Sequence, residues 1–304
     1  MTTADTNVVQ QLSDGLAAAA ERAQAFTVRV RARRRIAATG VAWGEGGYIV
    51  TADHVVEQED AIRVGLPDGQ EVAAQLVGRD PGSDLALLRI EGAGPPEGEL
   101  APAGAARVGQ LVLAIGRPWG DGVQASGGVV SAVGGPVRTR RGTQIEGYLR
   151  ADATLLPGFS GGPLIDVAGR VLGVNTSRGG RGEGVTIAAH AVAAVVAELR
   201  EHGRVRRAYL GVGSQPVHLP ESMAATVGDQ RSGLLVVSVE AGGPAERAGV
   251  LVGDILLSLG GGAVRDIDDL QAQLGAERVG ASVPLVLLRG GERRDLTVSL
   301  GERA

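Results

Sequence analysis

Three side chains of this chain sit in contexts where their types could do chemistry together. His54 closes an apolar run in Thr51-Ala52-Asp53-His54-Val55-Val56. Asp84 opens another, after Asp80-Pro81-Gly82-Ser83. Ser160 lies among glycines in Pro157-Gly158-Phe159-Ser160-Gly161-Gly162-Pro163-Leu164. A serine hydroxyl is a weak nucleophile and needs an adjacent base to take its proton. Imidazole has the pKa to accept that proton and return it to a leaving amine. A buried carboxylate fixes the imidazole tautomer and stabilises the imidazolium. Two backbone N–H groups must also converge on the oxyanion that develops on the attacked carbonyl. A glycine two residues before the serine lets the chain turn tightly enough to aim them. In the turn Gly158-Phe159-Ser160 the donors are the N–H groups of Gly158 and Ser160. The remaining histidines, His190, His202 and His218, have no comparable setting.

Such a constellation needs rigid elements to hold it. Period-two alternation predicts a strand from Phe26 to Ala32. Short apolar runs at 47–51, 61–66, 71–77, 84–90 and 110–115 continue the pattern, separated by turn residues such as Pro67-Asp68-Gly69. A Pro/Gly-rich loop spans 92–104. Further strands are predicted at 123–133, 143–151, 163–166 and 171–176. Short strands with almost no helix between them indicate a mainly β domain, an antiparallel all-β barrel or sandwich. The order of the three side chains fits a chymotrypsin-like double antiparallel β-barrel, one barrel before the loop region at 92–122 and one after it. A helix is predicted at 188–202, where Val192, Val195, Val196 and Leu199 form a stripe, and a short amphipathic helix lies within residues 1–25. Beyond a basic joint at 204–208 an α/β-mixed pattern takes over. Its strands are predicted at 210–212, 234–239, 255–259, 283–289 and 296–300, and its helices at 245–248 and 267–274. The domain reading is an N-terminal helical segment at 1–25, a protease-like domain at 26–204 and a smaller domain at 205–304.

Composition narrows the function. Of 304 residues, 49 are Gly, yet there is no three-residue period and Pro is only 13, which excludes collagen. Hydrophobic residues are 44% and the net charge is −4, which argues for a folded chain and against a broadly basic nucleic-acid face. All basic residues are Arg. Their clusters (Arg29, Arg31, Arg33, Arg34 and Arg35; Arg138, Arg140 and Arg141; Arg204, Arg206 and Arg207) read as solvated faces without interleaved aromatics. With no Cys, thiolate catalysis and Cys-based zinc sites are excluded, and no cluster has metal-ligand spacing, so no cofactor or metal is expected. Residues 1–25 show neither a signal peptide nor a membrane span, so the expectation for the chain as written is cytoplasmic.

The order His, Asp, Ser is that of chymotrypsin-type proteases. Gly47-Tyr48-Ile49-Val50-Thr51-Ala52-Asp53-His54-Val55-Val56 resembles the catalytic-His motif of the HtrA/DegP family of serine proteases. Residues 80–90 resemble its Asp motif. Asp152-Ala153-Thr154-Leu155-Leu156-Pro157-Gly158-Phe159-Ser160-Gly161-Gly162-Pro163-Leu164, followed by Gly169-Arg170-Val171-Leu172-Gly173-Val174-Asn175, resembles its Ser motif. The resemblance implies His54, Asp84 and Ser160 as a catalytic triad acting on unfolded or misfolded polypeptides, and a homotrimer packed through N-terminal residues. It also implies a preference for small aliphatic residues before the scissile bond, with Leu155, Leu156 and the segment 175–178 around the pocket. The family commonly has Asn where this chain has Phe159, and it commonly works outside the bacterial cytoplasm. Glycine runs at 127–128, 134–135, 179–180 and 260–262 are candidates for its mobile segments.

Gly243-Pro244-Ala245-Glu246-Arg247-Ala248-Gly249-Val250-Leu251-Val252-Gly253-Asp254 is similar to the hallmark of a PDZ domain, and Tyr209-Leu210-Gly211-Val212 to its carboxylate-binding loop. The resemblance implies that a C-terminal peptide adds as a strand beside that loop, with Leu210, Val212, Leu270 and Leu274 lining the pocket. Two other readings remain. One is a proteolytically inactive or latent peptide-binding scaffold on the same fold. The other is an α/β-hydrolase elbow, which Gly-Phe-Ser-Gly-Gly also matches; the glycines and proline after Ser160 are a poor helix start and argue against it.

Overall fold

The computed structural model describes residues 3–34, 36–135, 137–138, 144–145, 147–178, 184–224 and 230–302. Arg35, Arg140, Arg141, Gly179 and Gly180 lie outside the described residues. The chain forms two compact units, Met1–Val205 and Arg206–Ala304.

The first unit opens with helix α1 (Thr3–Gln24), longer than the short helix expected. Its core-facing stripe, Leu16, Ala19, Ala20 and Ala23, packs at the C-terminal half, whereas Val8, Val9 and Leu12 are exposed. Six strands follow: β1 (Thr27–Arg31), β2 (Ala38–Ala42), β3 (Tyr48–Ala52), β4 (Ile62–Gly65), β5 (Glu71–Asp80) and β6 (Leu85–Ile90). They close into an antiparallel barrel of ring order β1-β2-β3-β6-β5-β4. Arg29 and Arg31 of β1 point to Glu71 of β5 at 2.9 and 3.2 Å, which occupies two arginines of the first basic cluster.

A second closed barrel joins β7 (Leu111–Gly116), β8 (Gln124–Gly134), β11 (Tyr148–Ala151), β12 (Pro163–Asp166), β13 (Val171–Thr176) and β14 (Val185–Ala188). A small hairpin, β9 (Val137–Arg138) and β10 (Gln144–Ile145), interrupts it, so the strand predicted at 143–151 is two separate pieces. The ring order β7-β8-β11-β14-β13-β12 repeats that of the first barrel position for position. The strand predicted at 110–115 therefore belongs to the second barrel. In β8, a Cβ on Gly128 would strike Asp152 and Ala153, and one on Gly134 the Tyr148 ring, so close strand approach accounts for these two glycines.

Helix α2 (Ala189–His202) buries Val192, Val196 and Leu199 and covers β5, β6 and β13. It stops at Gly203, which adopts φ +70° and donates its N–H to Leu199 O at 2.9 Å, a left-handed C-terminal cap. Gly78 of β5 meets the Gly203 backbone where a side chain would collide, which lets the helix end sit on the barrel.

The second unit is a sheet of order β16-β17-β18-β20-β21, with strands β16 (Val212–His218), β17 (Ser232–Val239), β18 (Ile255–Leu259), β20 (Ser282–Arg289) and β21 (Glu292–Ser299). The short β19 (Gly262–Ala263) joins β18, and β15 (Ala208–Tyr209) pairs with β22 (Gly301–Glu302). Of the strand predicted at 210–212, Leu210 and Gly211 are a break between β15 and β16, and Val212 opens β16. Helices α3 (Glu221–Ala224), α4 (Pro244–Arg247) and α5 (Ile267–Ala272) complete it; α5 ends two residues before the predicted bound. Leu234, Val236, Leu256, Leu285, Leu287 and Val298 form its core. Asp254 is buried beneath it and takes Arg289 through both oxygens at 2.8 Å, plus the Leu251 N–H at 2.8 Å. Burial pushes the Asp254 carboxyl up, but Arg289 and the Leu251 N–H outweigh it and hold the pKa below the usual carboxylate value.

Candidate active site

The first barrel supplies the histidine and the aspartate. His54 sits in a single 3-10 turn, Asp53–Val55, directly after β3. The turn is pinned from both sides: Asp53 N–H donates to Asp84 O at 2.9 Å, and the buried Asp53 carboxylate takes Arg79 Nε at 2.5 Å. Asp84 precedes β6 and has φ +59°. Among the described residues it is the one non-glycine in the left-handed region. A short polar side chain tolerates that region better than a bulky one does. Its Oδ1 accepts the His54 backbone N–H at 2.9 Å, and Oδ2 faces His54 Nδ1 at 2.7 Å. The Thr176 hydroxyl also donates to Oδ2. Opposite a carboxylate, Nδ1 carries the ring proton, which leaves Nε2 as an acceptor.

The second barrel supplies the serine, on the turn before β12. Ser160 Oγ donates to Ser177 Oγ at 3.1 Å, and Ser177 Oγ lies 3.4 Å from His54 Nε2. Among the described residues no direct hydrogen bond joins Ser160 to His54. Ser177 N–H also reaches Ser160 Oγ, at 3.4 Å.

The backbone of this turn can be accounted for group by group. Phe159 N–H donates to Leu156 O at 3.0 Å, with Pro157 and positive-φ Gly158 between, the signature of a type II turn. Gly161 N–H goes to Asn175 O and Gly162 N–H to Phe159 O, at 2.8 and 2.9 Å. From Gly158 to Gly162, the N–H groups of Gly158 and Ser160 alone have no acceptor among the described residues. The sequence reading names the same two N–H groups as oxyanion donors. The carbonyls of Gly158 and Ser160 are both taken by Thr39, through its hydroxyl at 2.7 Å and its N–H at 3.2 Å.

Phe159 is fully buried. It packs with Val112, Ala114, Leu149, Leu164 and Leu172 in the core of the second barrel, over Gly116, where a Cβ would strike the ring. The ring thus anchors the turn in the second barrel. Leu155 lies against Gly184, Leu156 is exposed, and Asn175 is buried with its Oδ1 bonded to Thr186.

In the second unit, Leu210 and Leu270 are buried, and Val212 and Leu274 pack against the same core. Gly211, at φ +82°, follows Leu210, whose carbonyl takes Ala245 N–H at 2.8 Å. Tyr209 is held in the β15–β22 pair. Strand β16 is an edge of its sheet, so one row of its backbone groups is unpaired by other strands. Among the described residues there is no group of His, Asp and Glu placed to hold a metal.

Three participants have no individual role in the sequence reading, which names Thr176 and Ser177 only within the segment 175–178 around the pocket and does not name Thr39. Thr176 and Ser177 directly follow the Gly169–Asn175 motif, and that position is the signal for them. Thr39 had none: it lies on β2, a strand of small residues buried on both faces that shows no alternation.

Residues 38–174 match the model for a trypsin-like peptidase domain, and residues 208–300 that for a PDZ domain. Fold and site together define a trypsin-like peptidase joined to a PDZ domain. The chain is 37% identical over 261 residues to a probable periplasmic serine endoprotease DegP-like of Ectopseudomonas mendocina (strain ymp), covering 84% of this chain and 54% of that protein. A protein of the same description from Halomonas elongata is 36% identical over 275 residues, covering 88% and 57%. The chain thus spans about half the length of these curated relatives. Among solved structures, an HtrA-type protease AlgW with tripeptide aligns at TM-score 0.78 and 34% identity, covering 95% of this chain and 97% of that one. The serine endoprotease from Yersinia pestis aligns at TM-score 0.78 and 30% identity, covering 94% and 97%. The chain belongs to the HtrA-type serine proteases. The two curated relatives are described as periplasmic, in contrast with the cytoplasmic expectation from residues 1–25. Among the described residues no helix is long and apolar enough to cross a membrane.

Proposed function

We propose that this chain is a serine endopeptidase in which His54, Asp84 and Ser160 form the catalytic triad. The observation that carries the reading is the His54–Asp84 contact of 2.7 Å, with Ser160 reaching the same imidazole through Ser177. His54 Nε2 takes the Ser160 proton as Oγ attacks a peptide carbonyl. The N–H groups of Gly158 and Ser160 receive the oxyanion, and His54 then protonates the leaving amine. Water hydrolyses the resulting acyl-enzyme. Asp84, with Thr176 and the His54 N–H bonded to it, holds the ring in its working tautomer.

The substrates are unfolded or misfolded polypeptides. The PDZ domain takes C-terminal peptides as a strand added to the β16 edge, beside Tyr209, Leu210, Gly211, Val212, Leu270 and Leu274. The AlgW structures with decapeptide and with tripeptide support peptide binding by a member of this family. The exposed Val8, Val9 and Leu12 on α1 support assembly through the N-terminal helix, as a homotrimer; light scattering coupled to size exclusion tests it. The relatives' periplasmic descriptions support work outside the cytoplasm, and fractionation of producing cells tests that.

Fluorophosphonate labelling with casein hydrolysis tests the triad. Wild type is expected to label and to cleave, and Ser160→Ala to do neither. One observation favours a second reading, a latent scaffold: the Ser160 hydroxyl points to Ser177 rather than to His54. If wild type neither labels nor cleaves, with or without added C-terminal peptides, that reading replaces the first.

A further inference from the structure

We propose that Thr39 is a positioning residue that sets the direction of the oxyanion donors from the neighbouring barrel. This rests on the serine-protease reading above. Glycine at 158 allows the positive φ that the turn requires, but the same freedom lets its peptide groups rotate. The plane between Gly158 and Phe159 is pinned at one end by Leu156 O, which accepts the Phe159 N–H at 3.0 Å. Thr39 pins the other end, since its Oγ1 donates to Gly158 O at 2.7 Å.

The polarity of that bond is fixed. Arg117 N–H can only donate, and it donates to Thr39 Oγ1 at 2.8 Å. Gly158 O can only accept, so the single hydroxyl proton of Thr39 must point at it. Thr39 also holds the far side of the nucleophile, giving its N–H to Ser160 O at 3.2 Å. Its own carbonyl takes the Thr51 hydroxyl at 2.7 Å, which ties it to β3, the strand that leads into His54. Thr39 is completely buried, so no solvent group can replace the hydroxyl. One residue of the first barrel thereby grips the turn of the second at the carbonyl that directly follows the free Gly158 N–H and at the two carbonyls that flank the free Ser160 N–H, Gly158 O before it and Ser160 O after it.

Arg117 is anchored in turn. Its buried guanidinium donates to the carbonyls of Gln24, Thr27 and Pro67, at 3.4, 3.0 and 3.3 Å. The donor that orients Thr39 is therefore itself held by α1, β1 and the β4–β5 turn.

The test compares Thr39→Val, which keeps the shape and loses the hydroxyl, with Thr39→Ser, which keeps the hydroxyl. Both are measured in the full chain on a fluorogenic peptide, normalised to titrated active sites. Loss of one oxyanion donor costs about 100- to 1,000-fold in kcat. Loosening one is expected to lower kcat about 10- to 100-fold in Thr39→Val, with KM within about threefold. Affinity for a peptide aldehyde, whose adduct carries the oxyanion, is expected to fall in step, while affinity for the product peptide stays. Thr39→Ser is expected to restore kcat to within about threefold of wild type. If Thr39→Val does not fold, Thr39→Cys, with its weaker donor, takes its place and is expected between Ser and Val. A folded Val or Cys variant at wild-type kcat, or a loss that Ser does not restore, overturns the proposal alone. A wild type without turnover overturns it together with the protease reading.

Discussion

The hydroxyl of Ser160 donates to the hydroxyl of Ser177, 3.1 Å away. Ser177 then stands 3.4 Å from His54 Nε2, so the proposed nucleophile is one hydroxyl removed from its base. Catalytic hydrogen bonds often close only when substrate is bound. In Ser177→Ala the competing acceptor is gone and Ser160 can turn to His54. The expected kcat/KM is equal to wild type or raised up to about fivefold. A fall of about 100-fold would instead make Ser177 a carrier of the proton.

Where the resemblance implies Asn this chain has Phe159, and its ring fills the core of the second barrel. Phe159→Ala leaves a cavity there and is expected to cost about 3–5 kcal/mol. Calorimetry should show the first unit melting about 10 °C lower. Activity at low temperature should fall as well, because the turn loses its anchor. Phe159→Leu, which keeps most of the apolar volume, is expected to lose less than half as much in both measurements.

Asp254 provides a pH test. Its folded pKa lies below the ordinary value, so the unfolded state binds the proton more readily. The stability it contributes is full above the unfolded carboxylate pKa of about 3.9 and is lost as pH falls through the folded value. Hydrogen exchange in β17 and β18 should therefore quicken below about pH 4 in wild type. Asp254→Asn removes the carboxylate that Arg289 and the Leu251 N–H hold and is expected to be less stable than wild type at pH 7. It should show less acid dependence than wild type.

The PDZ groove can be tested without touching the protease unit. A fluorescent peptide with an apolar C-terminal residue is expected to bind the full chain by polarisation. The same peptide with an amidated C-terminus is expected to bind at least about tenfold more weakly, since the carboxylate is gone. Leu274→Glu should weaken the free-acid peptide by a similar factor. Equal binding of the two peptides would remove the carboxylate loop from the account.

The parts legible in sequence were those that rest on turns and alternation. The glycine-flanked Ser160, the strand-end His54 and the strand-opening Asp84 stood out because each breaks a local pattern. Strand β2 was invisible because Ala38, Thr39, Gly40, Val41 and Ala42 are all buried, which erases the two-residue period. With it went Thr39, whose importance lies in partners far away in the chain. Strand β14 escaped for the same reason, being buried throughout. The left-handed Asp84 could not be read either, since aspartate carries no local mark of positive φ. Phe159 looked like a disturbance of the motif; its partner Gly116 lies on another strand and explains it.

The matching ring order of the two barrels has a mechanical consequence. In the proposed mechanism base and carboxylate ride on one barrel, nucleophile and oxyanion donors on the other, and neither barrel alone would be a catalyst. The reaction centre is therefore a joint, and its rate depends on how stiffly two like cylinders are fastened.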